Sequence, residues 1–287
     1  MSIILSTGNV SHARKNHMQD AVHDLRQRIK QWRQDEQSTT TFFGPNTNIE
    51  IPANPKEPLF CDDIPKHVEV KGKLETTVKL FFSSIQTSIS GSVSVRASIL
   101  ERALTKLVAT MPNQNTIKHL VLSFPEISFA DNDEEEDEDL LDNSAVKQDN
   151  LDIWAVAASM MEEYKIESLG VSEFSTARLQ SLMAFCKAKN LPLPVINQIN
   201  IRDCCVLPPS LVTLAKENNI KLLAHNDPIN ILPEDAVNEL VASIKGDQLS
   251  AEEQSWNWEW LTKTTAIVAS RGIVCGLGWA LELDYNI

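Results

Sequence analysis

Apolar and polar positions change period in a regular order from residue 117 onward. "IKHLVLSF" (117–124) reads as a strand that stops at Pro125. "LDIWAVAASMMEEYK" (151–165) has helical spacing and puts Ile153, Trp154, Ala157, Met160 and Met161 on one face. "SLGVSEF" (168–174) is a short strand. Ser175 can cap the next helix, "TARLQSLMAFCKAKN" (176–190), whose Leu179, Leu182, Met183 and Cys186 face inward. "LPVINQINI" (193–201) is a strand, Pro208 and Pro209 open a helix at positions that tolerate proline, and "IKLLAHN" (220–226) is a strand again. "EDAVNELVASIK" (234–245) is helical. A Trp-rich helix is expected over 252–265, followed by the apolar "AIVASRGIVCGL".

The N-terminal half follows the same plan less clearly. "IILSTGN" (3–9) and "ETTVKLFF" (75–82) read as strands. Residues 17–34 and 95–111 read as helices, the first with Met18, Ala21, Val22, Leu25, Ile29 and Trp32 in one stripe. Segment 38–70 is polar and proline-bearing. Strand and helix alternating over short connections imply parallel strands joined by right-handed crossovers, and the strands look apolar nearly throughout. An open doubly wound sheet would want a glycine-rich phosphate loop after an early strand, and "GIVCGLG" (272–278) has the wrong order and context for one. The expectation is therefore α/β, a single (β/α)8 barrel over residues 1–287 with a disordered acidic loop at 131–150.

Charge changes the picture little. The run "DNDEEEDEDLLD" (131–142) carries nine acids and no base, and removing them from the net charge of −13 leaves −4. Such a block repels itself and stays solvated, whether as a plain insertion or as a tether for a basic partner. Nucleic acid is disfavoured, because phosphate binding needs clustered Lys and Arg. Arg26, Arg28, Lys30 and Arg33 make one basic patch on the first helix, expected to be a solvated face rather than the anchor of the acidic run. No apolar run reaches the ~20 residues of a membrane helix. The start lacks the apolar core of a secretory signal, so a cytoplasmic location is expected, although the absence of Asp and Glu before residue 20 leaves a weak transit peptide open. Five cysteines at irregular spacing fit a reducing compartment. They offer no C-x-x-C pair, and the six histidines offer no H-x-x-x-H pair, so no metal site is expected.

"LGVSEFSTARLQSL" (169–182) resembles the aldo-keto reductase stretch that begins Gly-Val-Ser-Asn-Phe, and "PVINQINI" resembles the following strand of that family. "NQINIRDCCVLPPSLVTLAKENNIKLLAHNDP" (197–228) is similar to one branch, the regulatory or modifier subunit of glutamate–cysteine ligase, in its Cys-Cys-Val-x-Pro-Pro run and its closing Ala-His-Asn-Asp-Pro. The resemblance extends to "IVASRGIV" (267–274) and "VKLFF" (78–82) and is weak over 38–70.

The resemblance implies a test. Aldo-keto reductases carry Asp, Tyr, Lys and His at the strand ends, with the Tyr donating a proton as hydride arrives, since the developing alkoxide must be neutralised. Lys79 sits where the family's Lys sits, and Ser123 stands at the His position. His119 lies four residues earlier, ~13 Å back along the strand. The only tyrosines are Tyr164 and Tyr285, and neither precedes Lys79. No matching Asp is identifiable; Asp62 and Asp63 have the wrong context. Ser172 and Gln198 match positions that hold the nicotinamide amide, Glu173 replaces an Asn, and His225 replaces a ring-stacking Tyr. These are remnant positions, with no catalytic residue and no cofactor expected.

Cys204 and Cys205 follow a strand and precede a helix start. They read as loop packing residues, as a partner contact open to oxidation, or, least, as a redox pair, since adjacent cysteines close only a strained ring. Trp256 and Trp258 are further interface candidates; on a helix Trp256 would share a face with Trp260 and Trp258 would lie almost opposite. The implied function is a non-catalytic regulator that forms a heterodimer with the glutamate–cysteine ligase catalytic subunit, favours glutamate binding and relieves glutathione inhibition. An active or narrowed NADPH-dependent aldo-keto reductase is the alternative.

Overall fold

The computed structural model describes residues 2–7, 10, 20–35, 48–53, 74–84, 92–110, 116–129, 146–200, 207–245, 256–268 and 273–285. These fall into two compact units, residues 75–227 and residues 1–74 with 228–287.

The first unit is the regular one. Its strands β3 (Leu74–Phe82), β4 (Ile117–Ser123), β5 (Leu169–Ser172), β6 (Ile196–Asn200) and β7 (Lys221–His225) are neighbours in chain order and all pair in parallel. Helices α2 (Ser92–Thr110), α3 (Gln148–Ser159), α4 (Thr176–Lys189) and α5 (Pro209–Glu217) supply the crossovers. The α/β class and the parallel alternation are as expected.

Register shows that this sheet has two unlike faces. Paired residues of parallel neighbours lie side by side on one face. One face carries Val78, Leu80, Leu120, Leu122, Leu169 and Val171, all fully buried. Together with the stripes of α2 (Ile99, Leu100, Ala103, Leu104) and α4 (Leu179, Leu182, Met183, Cys186) they form the core, each large side chain contributing about 1.5–3 kcal/mol. The opposite face carries Lys79, His119, Ser123, Ser172, Gln198, Asn200, Lys221 and His225 in matching register. This second face is mixed, since Phe81, Val121 and Ile196 share it and are buried, so the apolar run is interrupted by polar residues chiefly on one side.

Local signals explain the helix ends. Arg178 N–H donates to the Ser175 hydroxyl at 3.4 Å, the expected cap. α4 ends at Asn190, whose φ of 53° is the left-handed geometry that Asn tolerates. Pro209 occupies the first turn of α5. α3 starts at Gln148, so the acidic loop expected through residue 150 ends earlier, and Asn150 is buried in the first helical turn. The acidic run itself lies outside the described residues.

The second unit contains α1 (Ala21–Asp35), α6 (Glu234–Lys245) and four strands in the order β2 (Ile49–Ile51), β1 (Ser2–Ser6), β9 (Ile273–Tyr285) and β8 (Trp256–Val268). β1 and β2 are parallel, whereas β9 is antiparallel to both β1 and β8. The helix expected over 252–265 is therefore a strand over its described part. Trp256, Trp258 and Trp260 alternate with polar residues, and Thr262, Thr264, Thr265 and Ile267 add β-branched character, so the two-residue period prevails. Two buried indoles are anchored by carboxylates: Trp260 Nε1 donates to Glu282 at 2.6 Å and Trp279 Nε1 to Asp24 at 2.9 Å.

The basic patch of α1 is a solvated face in part: Lys30 and Arg33 are exposed and Arg26 is half-buried. Arg28 is buried and donates to the Pro52 carbonyl at 2.8 Å. Arg26 pairs with Glu239, and Arg33 donates to the Ser243 and Ile244 carbonyls at the C-terminal end of α6, where a cation is favoured.

Gly170 provides a direct check of the parallel sheet. A Cβ there would lie 2.9 Å from the Ile196 carbonyl oxygen and 3.0 Å from Ile196 Cβ. Gly170→Ala is expected to destabilise the protein by about 1–3 kcal/mol, read as a lower urea midpoint at unchanged slope.

Candidate functional site

The C-terminal strand ends of the parallel unit assemble a buried cluster of charges. Lys79, on β3, places Nζ 2.9 Å from Asp227 Oδ2, with the two side chains 4% and 3% exposed. Asp227 follows the end of β7, and its carbonyl accepts from Asn200 Nδ2 at 3.1 Å. His225 Nδ1 lies 3.2 Å from both Asp227 Oδ2 and the Asp227 backbone nitrogen. The other ring nitrogen, Nε2, is bonded to Glu173 and lies 3.3 Å from the Ser172 hydroxyl. The second Glu173 oxygen accepts from the Phe129 N–H at 3.2 Å.

Parallel pairing brings these residues together. Ser172 sits beside Gln198, and Asn200 beside His225, so consecutive strands end in adjacent polar groups. Glu173 is reached through a left-handed turn, φ 65°, held by its N–H to the Gln198 carbonyl at 2.8 Å. That conformation costs a non-glycine residue roughly 1–2 kcal/mol and aims the carboxylate at His225. Asn197 fixes the same turn from below, accepting from Phe174 N–H and donating to Phe174 O at 2.7 Å. The Lys79 ammonium also lies 5.0 Å over the Phe81 ring.

Four residues singled out in the sequence, Lys79, Ser172, Gln198 and His225, thus share the strand ends, and Ser123 ends β4 beside Phe81. Asp227 was missed, although it stands in the quoted His-Asn-Asp-Pro; only the fold reveals it as the partner of Lys79. Glu173 was read as a replaced Asn, whereas it is half of the His225 pairing. Tyr164 is buried in the turn after α3, its hydroxyl 3.1 Å from Thr105 Oγ1 on α2. Tyr285 packs on Trp256 at 5.5 Å. Cys204 and Cys205, and Asp62 and Asp63, lie outside the described residues. Trp256 is 2% exposed with Lys245 Nζ 5.0 Å over its ring, so burial removes it as a surface contact; Trp258 is half-buried.

The nicotinamide-binding expectation for the wider reductase family can be tested on these residues. Ser172 is engaged with the His225 ring and, at 3.4 Å, with the Gln198 carbonyl, and a carboxylate stands where an amide would be read. Of this set, Ser172 and Glu173 are turned toward His225, and Gln198, the third position, is half-buried. Among the described residues no cluster of His, Cys, Asp and Glu could hold a metal ion, and no helix is long and apolar enough to cross a membrane.

At the opposite strand ends, His119 Nδ1 lies 2.6 Å from the Ser168 hydroxyl, which donates to the Lys118 carbonyl. Burial, then Lys221 and Lys118, push the His119 pKa below its usual value, and Glu75 and Glu167 oppose the shift weakly.

No family model matches the chain. Glutamate–cysteine ligase regulatory subunits of Mus musculus and Homo sapiens are each 34% identical to it over 129 residues, 45% of this chain and 44% of theirs. The chain thus aligns with less than half the length of these curated relatives. A Schizosaccharomyces pombe protein, named as a candidate regulatory subunit of the same ligase, is 25% identical over 281 residues, 95% of each chain. Among solved structures, an aldo/keto reductase from Brucella melitensis aligns at 21% identity and a TM-score of 0.29 over 50% of this chain and 48% of its own. The chain is α/β with a parallel-rich sheet and is homologous to proteins named glutamate–cysteine ligase regulatory subunits.

Two outcomes follow. Lys79→Met leaves the Asp227 carboxylate buried without its cation and is expected to cost about 3–5 kcal/mol, whereas the double variant Lys79→Met/Asp227→Leu recovers most of that loss in a denaturation cycle. The depressed His119 pKa favours the neutral ring in the fold. Its stabilising contribution is therefore present above the unfolded value near ~6.5 and is lost as pH falls from there through the folded value. His119→Gln should flatten stability against pH in that window, measured by urea midpoints at each pH.

Proposed function

We propose that this chain is a non-catalytic regulatory subunit that binds the catalytic subunit of glutamate–cysteine ligase, favours glutamate binding and relieves inhibition by glutathione. The observation that carries this reading is the closure of the strand-end cluster. Lys79 pairs with Asp227 at 2.9 Å, His225 lies between Asp227 and Glu173, the four side chains are at most 13% exposed, and the Tyr164 hydroxyl is engaged with Thr105. Carbonyl reduction needs an acid that meets the substrate oxygen, and proton transfer from these groups would first require breaking buried charge pairs. The names of the relatives support a regulatory role from a second direction.

Regulation requires that the chain bind one conformation of its partner more tightly than another. ATP, Mg²⁺ and amino-acid chemistry then belong to the partner. Trp258 and the Cys204–Cys205 loop are the candidate contact points, and a cytoplasmic heterodimer is the expected assembly.

The test is co-expression with the ligase catalytic subunit. A stable 1:1 complex, a lowered KM for glutamate and weaker inhibition by glutathione are the expected outcomes. In parallel, NADPH titration should give no saturable quenching of tryptophan emission. Absence of a complex, together with NADPH-dependent carbonyl turnover by the isolated chain, would instead establish the reductase alternative.

A further inference from the structure

Outside the strand-end cluster, three polar side chains meet in the parallel unit with their hydrogen-bonding capacity incompletely used. Arg96, in the first turns of α2, is 1% exposed and donates through Nη1 to Asn150 Oδ1 at 2.6 Å. Its Nη2 lies 3.7 Å from Glu126 Oε1, beyond a direct hydrogen bond. Its guanidinium carbon sits 6.0 Å over the Phe82 ring. Arg96 Nε, Asn150 Nδ2 and both Glu126 carboxylate oxygens are buried without a hydrogen-bond partner. Two donors and two acceptors are thus left over in one place.

The complement of those groups defines the missing partner. It must accept from a guanidinium and a carboxamide and donate to a carboxylate. An anion would face the Glu126 oxygens and a cation would face Arg96, so neither suits. A neutral molecule with both capacities does, and of these a single water asks for the least space.

The position gives the cluster a purpose. Glu126 lies in the turn that opens the connection between β4 and α3, and Asn150 lies in the first turn of α3 that closes it. The acidic run (131–142) is part of that connection. One arginine from a third element therefore faces both of its ends. We infer that Arg96, Asn150 and Glu126 bind a buried water, and that this hydrated cluster clamps the two ends of the acidic connection to α2.

A high-resolution crystal structure of the full chain, with hydrogen exchange on the wild type and on Arg96→Met and Glu126→Gln, tests this. The inference expects a water peak within hydrogen-bond reach of Arg96 Nε and Glu126. It also expects amides of 124–129 and 146–152 to exchange at least about tenfold faster in both variants while 196–200 are unchanged. Glu126→Gln keeps shape, so it serves if Arg96→Met does not fold. A direct Arg96–Glu126 contact with no water, a larger solute in the density, unchanged exchange, or a uniform rise across the chain would each overturn it.

Discussion

The parallel unit depends on where its charges find partners. Lys79 and Asp227 are withdrawn from water, and each alone would carry a desolvation penalty of several kcal/mol. Together they are tolerable, and the pairing then dictates the surroundings. Asp227 must hold its backbone, which Asn200 does from β6. His225 is drawn between Asp227 and Glu173. Glu173 in turn accepts an unfavourable backbone angle to reach the ring. The chain of consequences starts from one ammonium on a strand and ends with the strand-end groups committed to one another.

That arrangement is possible because the sheet separates its two jobs. The apolar face builds the core and needs nothing but volume and shape. The other face mixes buried Phe81, Val121 and Ile196 with polar residues, which are retained through hydrogen bonds between strands. The other unit solves burial differently. Its antiparallel strands bury large indoles, and the Trp260 and Trp279 N–H groups are satisfied by the carboxylates of Glu282 and Asp24.

Much of this was legible before any coordinates. Ser175 and Pro209 announced helix starts because capping is local chemistry. The stripe Leu179, Leu182, Met183 and Cys186 announced its own burial because a helix repeats every 3.6 residues. Lys79, Ser172, Gln198 and His225 were selected by resemblance, and strand register brings them to the same end. Asp227 escaped because its partner lies 148 positions away, and long-range ion pairs leave no periodic trace. β8 was misread because Trp256 and Trp260 satisfy both a four-residue and a two-residue spacing, and the threonines that decide the matter come later. The α1 arginines look solvated by composition, yet the Pro52 carbonyl recruits the buried Arg28 and the end of α6 recruits Arg33.

The closed charge cluster is the centre of this account, and its most direct test is the solvent exchange of the Lys79 ammonium, followed by nitrogen-15 magnetic resonance at neutral pH. A buried pair predicts a slowly exchanging ammonium signal that disappears when Asp227 is replaced by Asn. A Lys79 ammonium exchanging as fast as surface lysines, and indifferent to Asp227, would contradict it.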